Sequence, residues 1–193
     1  KTIIKSKGMF AIDLWDKNSK NLSIACDRIG EKPLYYGWVK EQFVFASELK
    51  SIKKFPEFNN PIDRDSLALF LRFNSIPAPH SIYKDIFKLE PGQIIQIHAD
   101  SKKIKKHNYW STEDVFKQGH MDQFSFTPSE AVNQLETTLS NAVSSQMQSD
   151  VPLGAFLSGG IDSSTIVALM QTRSNQNVNT FTIGFNAKEF DEA

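Results

Sequence analysis

Leu157-Ser158-Gly159-Gly160-Ile161-Asp162-Ser163-Ser164 joins a short apolar run, Leu153 to Leu157, to a segment with Ile166, Val167, Leu169 and Met170 at helical spacing. The run predicts a buried strand and the segment a helix. Two adjacent glycines between them let the backbone turn where a Cβ would clash. The turn feeds a helix N-terminus, whose free N–H groups and positive dipole end attract anions. Ser158, Ser163 and Ser164 add hydroxyl donors around the same concavity, which together make a phosphate cradle. It is no Walker loop, because Gly-x-x-x-x-Gly-Lys-Ser/Thr is missing, and no dinucleotide fingerprint, because Gly-Gly stands where Gly-x-Gly-x-x-Gly is needed. Asp162 would repel phosphate without a cation, so it points to Mg²⁺ bridging carboxylate and phosphate. The plainer alternative is an ordinary Gly-Gly turn with an Asp cap. The surrounding hydroxyls, the preceding strand and the following helix argue against it.

Outward from this loop, Val178 to Phe185 reads as a second strand, so strand, loop, helix and strand form the opening of an open parallel α/β sheet. Upstream, Thr127-Pro128-Ser129-Glu130 supplies an N-cap, a proline at the first helical position and a capping-box glutamate. The helix that follows sets Val132, Leu135, Leu139, Ala142 and Val143 on one stripe and is expected to run to about Gln148. Residues 110–127 lack periodicity and read as a linker. Before it the pattern changes to short strands. Met9 to Trp15 carries apolar residues on both alternating sets, as a strand covered on two sides would. Asn21 to Asp27 follows with Leu22, Ile24 and Cys26 on one face, then Leu34 to Val39 and Gln42 to Ala46 as a hairpin pair. Ser47 begins a short helix to about Lys54. A second helix starts near Asp63 or Asp65, carries Leu67, Phe70 and Leu71, and ends before Pro77 and Pro79. Pro91-Gly92 turns into a last strand pair, Gln93 to His98 and Lys103 to Tyr109. The 15 Phe residues alternate with other apolar residues in the strands, as a sandwich core requires.

A length of 193 residues fits one domain or two small ones, and 40% hydrophobic with 23% charged residues lies in the globular range. No run of about 18 apolar residues occurs, which excludes a membrane-spanning helix, and no secretory signal pattern opens the chain. The single Cys excludes an internal disulfide and fits a reducing, cytoplasmic compartment. The net charge of zero conceals a split, +7 over residues 1–110 and −7 over residues 111–193. The basic residues are scattered through the strand patterns, apart from Lys102, Lys103, Lys105 and Lys106 near a hairpin turn. Few aromatics interleave with them, so nucleic acid is not an expected partner. His80, His98, His107 and His120 show no metal spacing and read as solvated or hydrogen-bonded.

Ser158-Gly159-Gly160-Ile161-Asp162-Ser163 resembles the pyrophosphate loop of N-type ATP pyrophosphatases. Within that superfamily, the stretch Pro152 to Ser164 resembles the glutamine-dependent asparagine synthetase family. Gly8-Met9-Phe10-Ala11, Asp27 to Tyr36, Phe45 to Lys50, and Tyr83-Lys84 through Leu89-Glu90-Pro91-Gly92 are similar to the closing part of that family's glutaminase domain, in the same order. The resemblance implies an internal fragment: residues 1–109 ending a layered αββα Ntn-hydrolase-type glutaminase (class II glutamine amidotransferase) domain, a linker at 110–127, and residues 128–193 opening an α/β ATP pyrophosphatase domain.

The implied chemistry is a ligase reaction of asparagine biosynthesis. Aspartate attacks the α-phosphorus of ATP to give β-aspartyl-AMP with release of pyrophosphate, and ammonia from glutamine then yields the amide and AMP. Ser158, Gly159, Gly160, Asp162, Ser163 and Ser164 would contact the phosphates, Asp162 would be a Mg²⁺ ligand, and Leu157 and Ile183 would border the adenine, partly through backbone groups. Phe181-Thr182-Ile183-Gly184 fits the family's second strand. The implied partners are ATP, glutamine and aspartate or another carboxylate, with no nucleic acid and no membrane, and the resemblance allows a homodimer of the full-length protein. The family's glutaminase nucleophile is an N-terminal Cys. Cys26, inside a strand where relatives commonly carry Arg, reads as core, so no catalytic residue is assigned and these residues alone are not expected to make asparagine. Asp27 and Arg28 are left between a role at the ammonia passage or domain contact and a salt-bridged strand end. Glu48 and Lys50 read as a surface pair. Relatives that amidate sugar acids or close β-lactam rings, and a nucleotide-binding remnant without catalysis, stand as alternatives.

Overall fold

Alternation of apolar and polar residues with few helix formers makes the first half of the chain a stack of antiparallel strands. A computed structural model describes residues 2–184. Phe185, expected to close the last strand, and Asp191 to Ala193 lie outside them. The chain divides into two compact units, Lys1–Asp122 and Gln123–Ala193.

In the first unit, a turn of helix α1 (Thr2–Lys5) precedes strands β1 (Ala11–Asp16), β2 (Asn21–Cys26), β3 (Tyr35–Val39) and β4 (Gln42–Ala46). Helices α2 (Leu49–Lys53) and α3 (Arg64–Phe73), strands β5 (Ile86–Lys88), β6 (Gln93–His98) and β7 (Ile104–Asn108), and helix α4 (Thr112–Met121) follow. One sheet has the order β1-β2-β6-β7 and the other β4-β3-β5, and their pairings are antiparallel. The register sets Leu22 opposite Ile97 and Ile24 opposite Ile95, so one face of the first sheet is continuously apolar. That face packs Ile24, Cys26, Ile95 and Ile97 against Leu34, Tyr36 and Leu89 of the second sheet and its approaches. Residues of odd register in β3 and even register in β4, Val39 and Val44 among them, turn the other way and pack with Ile52 of α2 and with Ile86. Each such fully buried aliphatic side chain contributes about 1.5–3 kcal/mol relative to exposure.

Several expectations need correction, and one strand was not foreseen. β1 is not covered on both sides: Ile12 and Leu14 are 41% and 65% exposed, on the face opposite Ala11, which packs against the core cluster. The segment read as a linker contains α4, held by the Ser111 side chain accepting from the Asp114 N–H at 3.1 Å and by a Lys117–Glu113 ion pair one turn apart. β5 is a three-residue strand on the free edge of β3 that no periodicity announces. The Phe residues of the strands do not form the core: Phe43 is only partly buried, against Tyr36 and edge-on to Trp38, and Phe45, Phe87, Phe156 and Phe181 are exposed, so aliphatic side chains and Tyr36 fill the interior instead.

The second unit contains α5 (Pro128–Gln146), β8 (Gly154–Phe156), α6 (Ile161–Arg173) and β9 (Asn179–Phe181). The Thr127 capping box forms as expected, with Glu130 returning to the Thr127 N–H at 2.8 Å. β8 and β9 pair in parallel, Ala155 opposite Thr180, with α6 as the crossover. α5 and α6 are joined where the Arg173 guanidinium donates to the buried Ser140 hydroxyl at 2.7 and 2.8 Å. The α5 stripe is at most half-buried, at Leu139 and Val143, while Val132, Leu135 and Ala142 are exposed. β8 is largely exposed rather than a buried strand, having β9 on one side only.

Candidate nucleotide site

β8 ends at Phe156, and the chain turns through Leu157 to Gly160 into α6. Gly159 has φ +76°, the left-handed region that glycine enters without penalty. Gly160 does not: it sits at φ −75° as the N-cap of α6. The expectation that both glycines avoid a clash therefore holds in a different form. A Cβ at Gly160 would lie 3.7 Å from Ser158 Oγ and 4.0 Å from Ser163 Oγ, in ordinary contact, and would stand in the space beside this hydrogen-bonded pair. Glycine at 160 leaves that concavity open.

The hydroxyls around it are ordered by one another. Ser163 Oγ accepts from the Ser158 N–H at 3.3 Å, lies 3.2 Å from Ser158 Oγ and donates to the Gly160 carbonyl at 3.2 Å. With one proton and two lone pairs, Ser163 is thereby saturated if Ser158 is the donor of the pair. Helices α3, α4 and α5 are each capped by a side chain, whereas α6 has no side-chain cap. The leading N–H groups of a helix have no partner within it, so those of α6 face the loop with the dipole behind them. Asp162 and Ser164 are exposed on the first turn.

Leu157 is tied to the neighbouring strand at both backbone groups. Its N–H donates to the Phe181 carbonyl at 2.9 Å, and its carbonyl accepts from the Thr182 hydroxyl at 2.6 Å. Its N–H is thus spent inside the protein, which leaves chiefly its side chain for the border role that the resemblance assigned. Ile183 lies just beyond β9 and is 64% exposed. Hydrogen bonds bring Ser158, Gly160 and Ser163 together, whereas Asp162 and Ser164 stand exposed on the first turn of α6, and Leu157 and Ile183 lie at the adjoining strand ends. Thr182 was not singled out from the sequence; a threonine at a strand end carries no signal of a contact 25 residues away. A cavity lined by Leu139, Val143, Met147, Leu153, Ile166 and Met170 lies between α5 and α6 and includes none of the expected site residues.

Mg²⁺ takes one or two carboxylates together with substrate phosphates and keeps several waters. The lone exposed Asp162 suits that mode. No group of three His, Cys, Asp or Glu side chains fit to hold a metal by protein ligands alone occurs among the described residues.

The remaining candidates are structural. Cys26 is fully buried, its thiol donates to the Glu90 carbonyl at 3.0 Å, and burial pushes its pKa up, so it is held as a neutral thiol in the core. Asp27 is 3% exposed, and its carboxylate accepts from the N–H groups of Phe10, Ile29, Glu31 and Lys32 at 2.9–3.3 Å. Burial, the largest single influence, raises its pKa, but the donors at Lys32, Glu31 and Phe10 outweigh it and hold the group below the usual carboxylate range. Arg28 donates to the Ser6 and Ile4 carbonyls at 2.6 and 2.5 Å. The strand end is therefore pinned by backbone contacts, not by a salt bridge between these two. Glu48 and Lys50 do pair on the surface, at 2.5 Å.

Residues 1–110 match the family model of the glutamine amidotransferase domain, and residues 134–193 that of asparagine synthase. The chain is 39% identical over 188 residues to a Methanocaldococcus jannaschii protein whose name provisionally assigns it as a second glutamine-hydrolysing asparagine synthetase, covering 96% of this chain and 35% of that protein. It is 35% identical to asparagine synthetase (glutamine-hydrolysing) 1 of Bacillus subtilis, covering 97% of this chain and 28% of the relative. The chain thus spans about a third of the length of these relatives.

Proposed function

The chain belongs to the family of glutamine-dependent asparagine synthetases, and from that premise we propose that it contributes the pyrophosphate loop of an ATP-dependent, glutamine-hydrolysing amide synthesis. Residues 1–109 are the closing part of a layered αββα glutaminase domain, 110–127 its connection, carrying α4, and 128–193 the opening of a parallel α/β ATP pyrophosphatase domain. The acceptor is aspartate, activated as β-aspartyl-AMP with release of pyrophosphate and converted by ammonia to asparagine and AMP. The setting is cytoplasmic; no helix among the described residues is long and apolar enough to cross a membrane.

The observation that carries this reading is the open space over Gly160, bounded by the Ser158 and Ser163 hydroxyls at the uncapped start of α6. A phosphate oxygen seated there meets the helix N–H groups and dipole, and the Ser158 and Ser163 hydroxyls once their protons turn from each other and from the Gly160 carbonyl towards it. Ser158, Gly159, Gly160, Ser163 and Ser164 hold the pyrophosphate portion, and Leu157 and Ile183 flank the adenine with their side chains. Asp162 is placed to hold Mg²⁺, which when bound supplies positive charge against the phosphates. The residues of this chain thus act by positioning and charge neutralisation, with no side-chain nucleophile. Cys26, buried and neutral, takes no part in glutamine hydrolysis.

Magnesium-dependent ATP binding by the full chain tests the site. Combined Asp162→Ala and Ser158→Ala should abolish it; unchanged affinity in that double variant would refute the assignment. Adenylation assays across carboxylates test the acceptor, and turnover of a sugar acid or a β-lactam precursor in preference to aspartate would replace aspartate with that substrate.

A further inference from the structure

The peptide unit between Leu157 and Ser158 is gripped at both ends by hydroxyls from different elements. Its carbonyl accepts from Thr182 Oγ1 at 2.6 Å, on the chain just after β9. Its N–H donates to Ser163 Oγ at 3.3 Å, in the first turn of α6. A peptide is planar, so fixing both its C=O and its N–H removes its freedom to swing about the line joining the two Cα atoms. Just upstream, the Leu157 N–H is held by the Phe181 carbonyl at 2.9 Å, so the strand side of this anchor is itself rigid.

We propose that Thr182 is a positioning residue for nucleotide binding: its hydroxyl locks the Leu157–Ser158 peptide and so sets the orientation in which the loop offers its donors. The proposal rests on the nucleotide reading above. The order of dependence runs from the sheet to the ligand. Thr182 fixes the carbonyl, the planar peptide fixes the Ser158 N–H, and the N–H fixes Ser163 Oγ. Ser163 Oγ in turn stands beside Ser158 Oγ and donates to the Gly160 carbonyl at the rim of the open space. Without the Thr182 hydroxyl the peptide is held at one end only, and the loop has to be ordered by the ligand as it binds. Ordering of that kind is subtracted from affinity.

The test compares Thr182→Val, Thr182→Ala and Thr182→Ser in the full chain. Dissociation constants for ATP with magnesium and for inorganic pyrophosphate with magnesium are measured by calorimetry and normalised to the folded fraction, with melting temperatures alongside. Val and Ala should weaken both ligands about tenfold, the scale of one hydrogen bond, while Ser stays within about twofold of the parent. Ala and Ser both lack the γ-methyl and differ only in the hydroxyl, so that pair decides the matter if Val fails to fold. Equal affinities for Ala and Ser, with a shift in melting temperature alone, would reduce Thr182 to a structural residue and overturn the proposal. A parent chain that binds neither ligand would overturn the nucleotide reading, and the positioning role with it.

Discussion

The loop after β2 and the loop after β8 gather the same kind of donors for opposite ends. After β2, backbone N–H groups of residues 29, 31 and 32, joined by that of residue 10 just before β1, converge on Asp27, an anion supplied by the chain itself and buried to 3% exposure. After β8, the converging groups are hydroxyls and helix N–H groups, the nearby carboxylate of Asp162 is exposed, and the centre is left open over Gly160. A nest already filled by its own carboxylate is a fold element. A loop left open over a glycine suits the phosphate seat proposed above.

The largest effect that separates the two belongs to Asp27. Asp27→Ala removes the acceptor of four part-buried donors, and unfolding of the first unit in urea should be easier by about 2 kcal/mol, whereas Asp162→Ala should leave the second unit within about 0.5 kcal/mol of the parent. Comparable losses at both positions would erase the contrast. Acid should attack the same point. Because the Asp27 pKa is lower folded than its unfolded value of about 3.9, its stabilisation is complete above that pH and drains away as pH falls through the folded value. Acid titration of the first unit followed by circular dichroism should therefore lose this acid-sensitive component in Asp27→Asn.

Next come the two glycines. Gly160→Ala adds a methyl without backbone strain and should cut magnesium-dependent ATP affinity at least about tenfold while the melting temperature holds. Gly159→Ala forces a side chain into the left-handed region and should destabilise the second unit by about 1–2 kcal/mol. If Gly160→Ala binds ATP like the parent, the open space over residue 160 is not the phosphate seat. The smallest effect is expected at Tyr109, whose hydroxyl donates to the Cys26 carbonyl at 2.7 Å beside the Asp27 nest. Tyr109→Phe should lower stability of the first unit by about 1 kcal/mol in urea and leave nucleotide affinity untouched.

Much of this was legible in the chain because the signals are local. The alternation in Asn21 to Cys26 and Gln93 to His98, the Thr127 capping box and the Gly-Gly loop all sit within a few residues of what they determine. The misses have non-local or weak causes. α4 buries no residue, so it has no apolar stripe to announce it and relies on its cap and one ion pair. β5 is recruited by the open edge of β3 rather than by its own three residues. Thr182 gains its contact only because β8 and β9 pair in parallel across a helix. β1 misled because it carries apolar residues on both faces, yet Ile12, Leu14 and Trp15 stay exposed.

The outer strand β7 gives the basic surplus of the first unit a use. Lys105 and Lys106 stand exposed on it, and its far edge has no partner among the described strands. A strand from another molecule that docked there would have to strip water from both ammonium groups. The two lysines thus place charge along the outermost strand of this sheet among the described residues.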